Sequence, residues 1–384
     1  MKILVVAPQP FYEERGTPIA VRLLVETLCD FGHQVDLLVY HAGADIAIPG
    51  MRLIRAGRPP GIERIPIGIS PQKLICDLWL IAAMLRLTWR TRYDVIHAVE
   101  EAVFPAALLT FFIRSKLIYD MDSSLSDQLT DKWRPLRPLR KFFELFERGA
   151  VVRSAAVFAV CEDLAVKVRR WIDASRVLVL PDVPMASPES AIEVESLRTI
   201  AGEGAVIAMY VGNLERYQGI DLLVNGLANV PAAVPLHTFI IGGNPEHVEH
   251  YRRKVAELGI ADRVHLMGAR PVAALNAYLA QAEILLSPRT LGQNTPMKVY
   301  SYMQSGKVIL ATDIRSHTQA LDATCAQLVK PEPAALGAGL EQLVRDPALR
   351  ESLGEAARAK AEREYSLPVF RAKLRHAYDN IVLS

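Results

Sequence analysis

Apolar residues in the first half of the chain alternate between short solid runs and helix-spaced patterns. Met1–Ala7 is a run rich in isoleucine and valine, Thr17–Phe31 has apolar residues at helical spacing, and Gln34–Tyr40 is a second run. Solid runs joined by helices are typical of buried parallel strands. Further strand-like runs follow at Asp94–His97, Lys116–Asp120, Ala155–Val160 and Val177–Leu180.

This pattern stops at 182–196, where proline, serine and acidic residues replace the apolar periodicity, and it then restarts. The later strand-like runs are Val206–Val211, Thr238–Ile241, Arg263–Met267, Ile284–Leu286 and Val308–Thr312, with mostly helical sequence from Pro333. A chain of 384 residues also exceeds the usual size of one hydrophobic core. The sequence therefore predicts four segments: an N-terminal Rossmann-like domain at 1–181, a linker at 182–196, a C-terminal Rossmann-like domain at 197–364, and a helix at 365–384 packing back on the first domain.

The composition is that of a folded protein, with 51% hydrophobic and 22% charged residues. A net charge of +2 gives no general attraction to nucleic acid, so no nucleic-acid partner is expected. The four cysteines lack metal-ligand spacing, which favours a reducing compartment and no bound metal. The apolar stretch Leu78–Leu85 is too short to span a bilayer. We therefore expect a cytoplasmic protein without a metal or cofactor.

Loops that follow strands carry the residues suited to ligand binding, because such folds bind ligands at the carboxyl ends of their strands. Gly16 and Thr17 open a helix after the first strand, where free amides can receive an anion or simply begin the helix. The stretch 287–307 of the second domain combines cations, a glycine and an Asn-Thr-Pro helix start, which suits a diphosphate. Its candidate donor-binding residues are Arg289, Gln293, Asn294, Thr295, Pro296, Met297, Lys298, Tyr300 and Ser301.

Several ordered motifs of the second domain resemble those of the retaining glycosyltransferases of family 4. They are YVGNL at 210–214, Gly-Ile-Asp at 219–221, Ile-Gly-Gly at 241–243, and YMQSGKVILAT at 302–312. The resemblance implies the GT-B fold, in which two Rossmann-like doubly wound parallel-sheet domains face each other across a cleft. It also implies transfer of a hexosyl group, with retention, from a nucleotide sugar such as a UDP-sugar to a glycan or lipid-linked acceptor.

The resemblance assigns roles to individual residues. Arg289 and Lys298 would stabilise the leaving diphosphate, while Gly212 and Asn213 would lie at the donor and Arg270 would stack on a uracil. In the first domain His97 falls in the loop that carries a catalytic histidine in relatives. The acceptor-side residues would be Glu100, Glu101, Asp120 and Asp122.

Two departures from the family pattern bear on activity. Asn213 and Gln218 stand where relatives carry an arginine and a lysine that hold the diphosphate, and Gln293 and Ser301 stand where relatives carry two glutamates. The chain is then either a non-catalytic partner of an active transferase or an enzyme whose cations have moved to Arg289 and Lys298. We favour the second interpretation, and a nucleotide-sugar epimerase on the same fold is a further alternative.

A basic and aromatic stretch lies in the first domain at 132–148. It contains Lys132, Arg134, Arg137, Arg140, Lys141 and Arg148 among Trp133, Phe142, Phe143 and Phe146. Such a composition is typical of a helix at a membrane surface, which would place the enzyme peripherally at the inner face of the membrane. The phenylalanines have helical spacing, however, and would equally form a core face.

Overall fold

A computed structural model describes residues 1–13, 16–63, 65, 70–132, 134–183 and 193–382, without the side chains of 130–132, 134, 136, 137, 381 and 382. The chain forms two compact units. Unit 1 contains Met1–Asp182 together with Pro368–Ser384, and unit 2 contains Val183–Leu367. The chain therefore leaves unit 1 once and returns to it near its C-terminus.

Unit 1 is built on a parallel sheet of seven strands in the order β3-β2-β1-β4-β5-β6-β7. The central strands are almost fully buried because helices cover both faces, which explains their solid apolar sequences. The strands are β1 (Lys2–Ala7), β2 (Gln34–Val39), β3 (Met51–Arg55), β4 (Val95–Val99), β5 (Lys116–Met121), β6 (Ala156–Ala159) and β7 (Val177–Val179).

The helices of unit 1 connect consecutive strands, as right-handed crossovers in parallel sheets require. They are α1 (Gly16–Asp30), α2 (Pro71–Arg90), α3 (Val103–Leu109), α4 (Leu125–Lys132), α5 (Arg140–Arg153) and α6 (Glu162–Val168). Short 3-10 turns add Glu100–Ala102, Arg134–Leu139 and Ala174–Arg176.

Unit 2 repeats the architecture with six parallel strands in the order β10-β9-β8-β11-β12-β13. The strands are β8 (Val206–Val211), β9 (Leu236–Ile241), β10 (Val264–Gly268), β11 (Ile284–Ser287), β12 (Val308–Thr312) and β13 (Gln327–Val329). The helices are α7 (Arg198–Ala201), α8 (Ile220–Ala228), α9 (Pro245–Glu257), α10 (Leu275–Ala280), α11 (Met297–Ser305), α12 (Arg315–Thr318), α13 (Pro333–Arg345) and α14 (Pro347–Glu364), with 3-10 turns at Arg216–Gln218 and Val272–Ala274.

The C-terminal segment forms α15 (Leu367–His376) and a π-helical turn at Ala377–Val382. It packs on unit 1 through Tyr378, whose ring is fully buried. That ring lies 6.3 Å from the ring of His97 and 6.2 Å from that of Phe158. These contacts explain why Pro368–Ser384 belongs to the first unit.

Two strands and one long helix are among the elements absent from the sequence prediction. Strand β3 reads MRLIR and is only half-buried, so it gives no solid apolar run, and β13 is three residues long. Helix α2 has apolar residues on both its inner and outer faces, which hides the helical period. All the strand-like runs that the sequence analysis identified form strands of the two sheets.

Candidate active site

Three neighbouring strands of unit 2 end in glycines that come close together. The amide of Gly212 donates to Ile241 O at 3.0 Å, and that of Gly242 donates to Gly268 O at 2.7 Å. Gly242 has a φ of +116°, and a Cβ there would overlap the carbonyl oxygen of Gly212. Only glycine allows this approach, so the carboxyl ends of β8, β9 and β10 form an open backbone floor.

Lys298 extends over this floor from the first turn of α11. Its Nζ lies 3.1 Å from Gln218 Oε1 and 3.9 Å from the centre of the Tyr210 ring. A Cβ on Gly212 would lie 2.6 Å from the same nitrogen, so glycine at 212 makes room for the ammonium group. Gln218 is one of the two positions where the family resemblance implies a cation, and the Lys298 ammonium contacts it.

The electrostatic surroundings of Lys298 are positive. Burial and the nearby Arg289 guanidinium hold the pKa of Lys298 well below its ordinary value. Among the residues that the structure describes, Lys298 forms no ion pair with a carboxylate. A half-buried cation without a counter-ion favours binding of an anion.

Helix α11 begins directly beside this lysine. Its first residue is Met297, its N-cap is Pro296, and no side chain accepts a hydrogen bond from its first turn. Thr295 and Pro296 are buried, while Asn294 is half-buried. The positive end of the helix dipole therefore adds to the charge of Lys298.

Arg289 serves mainly to shape its own loop. Its guanidinium donates to Leu291 O at 2.6 Å and to Asn294 O at 3.1 Å, and it lies 5.4 Å from the Tyr217 ring. Only 8% of the residue is exposed. This placement favours a role in holding the loop and adding positive potential over direct contact with a ligand.

His317 is part of this edge of the sheet, although no sequence motif pointed to it. Its Nε2 lies 2.8 Å from Ser287 Oγ, and its Nδ1 lies 2.8 Å from Thr312 O. Burial lowers the pKa of His317 to about 4, so the ring is neutral at physiological pH. These contacts join the carboxyl ends of β11 and β12 close to the cations Arg289 and Lys298.

The remaining candidates of unit 2 fall in different environments. Asn213 is exposed, and its Nδ2 donates to Tyr217 Oη at 3.3 Å. Arg270 donates to Tyr278 Oη at 3.1 Å and to Glu195 Oε1 at 2.9 Å, so its stacking on a base stays a prediction.

Two predicted donor residues of α11 differ sharply in accessibility. Tyr300 is buried against the ring of Tyr365, at 4.8 Å between ring centres, which is a core position rather than a ligand contact. Ser301 is half-buried on the same helix, and Gln293 is exposed in the loop before it.

His97 of unit 1 is enclosed rather than open to substrate. Its ring has no exposed surface; Nδ1 lies 2.8 Å from Tyr378 Oη and Nε2 lies 3.2 Å from Asp120 Oδ2. With both nitrogens engaged, His97 is placed to orient Asp120, so we retain it as a positioning residue and not as a catalytic one.

Carboxyl groups gather at the carboxyl ends of β4 and β5 and near Asp182. Burial, together with the charge of Asp120, raises the pKa of Asp122 and of Asp182. Burial also raises the pKa of Glu100, whose Oε1 accepts from Ser123 Oγ at 3.3 Å. Asp182 received no sequence prediction because it lies at the start of the linker-like segment.

The other candidates of unit 1 adjoin this group. Glu101 forms an ion pair with Lys73 of α2. Thr17 hydrogen bonds to Asp122 through its side chain, whereas Gly16 is the exposed first residue of α1. The structure thus brings Thr17, Glu100, Asp120 and Asp122 to one edge of the first sheet. Among the described residues, no group of histidines, cysteines and carboxylates could hold a metal ion.

Both halves of the chain match models of glycosyltransferase domains. Residues 15–182 match the "Glycosyl transferase 4-like domain", and residues 196–360 match "Glycosyl transferases group 1". The chain is a GT-B glycosyltransferase of the family-4-like group. The two matched segments follow the two compact units and cover most of the glycosyltransferase.

Similar proteins share the full length of this glycosyltransferase. Phosphatidyl-myo-inositol mannosyltransferase of Mycobacterium tuberculosis is 23% identical, covering 99% of this chain and 97% of its own. Sucrose-phosphate synthase of Thermosynechococcus elongatus has a TM-score of 0.82 at 18% identity, covering 100% and 99% of the two chains. The HepE protein of Anabaena in complex with UDP has a TM-score of 0.74 at 16% identity, covering 99% and 100%. The predicted fold class, with two Rossmann-like parallel-sheet domains, is confirmed.

Proposed function

We propose that this glycosyltransferase transfers a hexosyl group from a nucleotide sugar, with UDP as the preferred nucleotide, and retains the anomeric configuration. The acceptor that we propose is a glycan or a lipid-linked molecule. One observation carries the proposal: the half-buried Lys298 ammonium stands at the carboxyl ends of the strands of unit 2 without a carboxylate partner in the described part of the chain. A nucleoside diphosphate supplies the missing negative charge.

The arrangement of unit 2 supports this choice of ligand. The open backbone floor at the ends of β8, β9 and β10 lets a diphosphate approach the backbone closely. The first turn of α11 adds amide donors and a favourable dipole. HepE has been solved with UDP and with UDP-glucose, which supports UDP as the nucleotide. The Lys298 ammonium contacts Gln218, so it takes over a family cation position from a different part of the chain.

The family resemblance implies transfer with retention, and we propose the following step. The bond between the anomeric carbon and the diphosphate oxygen breaks while the acceptor oxygen bonds to that carbon from the same face. The acceptor proton passes to the departing diphosphate oxygen. Negative charge grows on the diphosphate as the bond breaks, so Lys298, Arg289 and the α11 amides stabilise the transition state more than the ground state.

In unit 1 we assign the acceptor to the carboxyl group near Asp120 and Asp122. Carboxyl groups accept hydrogen bonds from sugar hydroxyls and, when protonated, also donate one. His97 fixes the position of Asp120 through its Nε2. The M. tuberculosis relative is named for transfer to a phosphatidyl-inositol, which supports a lipid-linked acceptor as one possibility.

Peripheral membrane association is part of the proposal. Phe142 and Phe146 of α5 are 54% and 56% exposed, so these two side chains are not the core face that the spacing also allowed. Phe143 is half-buried. Trp133 and the side chains of Lys132, Arg134 and Arg137 lie outside the described residues. No helix in the described part of the chain is long and apolar enough to cross a membrane.

The decisive test compares two substitutions in unit 2. Lys298→Met keeps the aliphatic stem over Tyr210 but removes the charge, and charge-assisted contacts are worth about 1.5–3 kcal/mol. We therefore expect a loss of about ten- to hundredfold in kcat/KM, and a smaller rise in Tm when UDP is added. Asn213→Ala should change both quantities much less, because the Asn213 side chain is uncharged and hydrogen bonds only to its neighbours Glu215 and Tyr217 among the described residues.

Lys307→Ala is the matched control, since Lys307 lies at the opposite end of the sheet, just before β12. A Lys298→Met protein that keeps full turnover while Asn213→Ala loses it would refute the relocated diphosphate site. Stabilisation by UDP with no transfer to any acceptor would favour the non-catalytic partner. Release of UDP together with an altered free sugar would favour the epimerase.

A further inference from the structure

Helix α2 exposes an apolar stripe along its entire length. Leu74, Leu78, Leu85 and Trp89 follow helical spacing on its outer face, and Leu78 and Trp89 are 61% and 93% exposed. The opposite face packs into the core through Cys76, Leu80 and Met84. A helix that only covers a sheet needs one apolar face, so the second face indicates an interaction surface.

The end of α3 extends the stripe. Leu108, Phe111 and Phe112 are 67%, 68% and 87% exposed. Strands β4 and β5, which begin after α2 and α3, are neighbours with Val95 paired to Lys116. Ser115 Oγ also donates to Tyr93 O at 2.7 Å, so the segments that follow the two helices are joined. We call Leu74, Leu78, Leu85, Trp89, Leu108, Phe111 and Phe112 the α2–α3 surface.

Cations without an ion pair among the described residues lie at one end of the α2–α3 surface. Arg86, Arg90, Arg92 and Arg114 are exposed, and none of them forms an ion pair within the described ranges. Asp77, the one acidic residue of α2, is half-buried and accepts a hydrogen bond from Tyr40. The apolar stripe therefore carries positive charge along one end and no exposed carboxylate on α2.

We propose that the α2–α3 surface docks on the interface of an anionic lipid bilayer. Leucine and phenylalanine side chains enter the boundary between headgroups and acyl chains, and the Trp89 indole suits that depth because it has one polar edge. The arginines meet lipid phosphates. A second copy docked through the same surface would bring the same cations and no exposed carboxylate of α2, so charge complementarity favours lipid.

The surface continues toward α5. Arg153 of that helix lies 4.5 Å from the Phe111 ring and donates to Thr110 Oγ1 at 3.2 Å. The exposed Phe142 and Phe146 of α5 therefore belong to a helix that contacts the end of α3. The proposal does not depend on the donor chemistry of unit 2, and it centres membrane contact on α2 and α3 rather than on the basic stretch at 132–148.

The test is co-sedimentation of the full-length protein with two kinds of vesicle, phosphatidylcholine alone and phosphatidylcholine mixed with phosphatidylglycerol. We expect binding to the phosphatidylglycerol vesicles that weakens as salt is added. The double variant Trp89→Ser and Phe112→Ser should lower the partition coefficient by about tenfold or more. The double variant Arg86→Gln and Arg90→Gln should lose the preference for phosphatidylglycerol.

The control replaces exposed apolar side chains of unit 2, Ile200→Ser with Leu258→Ser, and should bind vesicles like the wild type. The proposal is overturned if the wild type binds neither kind of vesicle, or if both surface variants bind as it does. It is also overturned if, without lipid, sedimentation velocity shows a wild-type dimer that the Trp89 and Phe112 changes convert to a monomer.

The rise in Tm on adding UDP is measured for every variant. The surface variants should keep the full rise, which also shows that they are folded. A wild type that binds vesicles but gains no stability from UDP would refute the proposed donor chemistry and leave the docking surface intact. Lost vesicle binding with a normal UDP response is the result that the docking proposal requires of the Trp89 and Phe112 variant.

Discussion

At the residue scale, the position of Lys298 depends on one local feature of the chain and on one distant contact. An Asn-Thr-Pro helix start followed by a lysine places that lysine beside the free amides of the first turn, which is a local property. Its contact with Gln218 joins residues 80 positions apart, and no local pattern encodes that pairing. The same holds for His97, whose Tyr378 partner lies 281 positions away.

Asp77 allows a prediction about pH and stability. Burial raises the pKa of Asp77 to about 6, whereas the ordinary pKa in the unfolded chain is about 4. Between these two pH values the folded chain holds a proton on Asp77 that the unfolded chain has released. A raised carboxyl pKa contributes stability at low pH that is lost as the pH rises through about 6. Asp77→Asn has no carboxyl group at this position. The difference in free energy of unfolding between the variant and the wild type should therefore favour the variant by about 1–2 kcal/mol more at pH 7 than at pH 4.

Urea unfolding of both proteins at several pH values measures this difference. The gap between the two free energies of unfolding should grow between pH 4 and about 6 and then level off. A gap independent of pH would show that Asp77 is ionised to the same extent in the folded and unfolded chains.

At the element scale, the sequence pattern predicted best those strands that have the same buried environment on both faces. Central strands such as β1 and β4 are buried on both faces, so they appear as solid apolar runs. Helix α2 has two apolar faces, and in β3 the arginines at 52 and 55 interrupt a short apolar run, so neither shows the period of its own structure. The glycines at the strand ends were visible as a motif, whereas the contact between Gly212 and Gly242 requires the strand order.

That contact predicts the effect of one added methyl group. Gly242→Ala should destabilise the protein by about 2–4 kcal/mol, because the new Cβ overlaps Gly212 O and φ is positive. Gly259→Ala is the control: its φ is +66° but no atom lies within 4 Å of the added Cβ, so only about 1 kcal/mol of backbone strain remains. Thermal unfolding with and without UDP measures both effects. Equal losses in the two variants would show that strand-end packing contributes nothing beyond backbone strain.

At the scale of the whole molecule, the sequence predicted two parallel α/β sheets from a rhythm that stops and restarts. The family motifs then gave the fold class, since several correctly ordered loops are rarely accidental. The sequence also showed the departures at Gln293 and Ser301, but their effect on activity depends on the substrates, which a shared fold does not specify.

The division into two units predicts which part of the chain a core substitution destabilises. Tyr378→Ala removes a fully buried ring from unit 1, at a cost of about 3–5 kcal/mol, and Tyr365→Ala removes the ring that packs on Tyr300 in unit 2. Hydrogen exchange should rise mainly in 1–182 for the first variant and mainly in 193–367 for the second. Faster exchange throughout the chain in both variants would show that the two units unfold as one.

The return of Pro368–Ser384 to unit 1 also determines the order in which the chain completes its parts during translation. The ribosome finishes every residue of unit 2 before it makes Tyr378, although most of unit 1 was synthesised first. Until then the rings of His97, Phe158 and His33 lack their contact with Tyr378. We expect chaperones to bind the nascent N-terminal half during this interval.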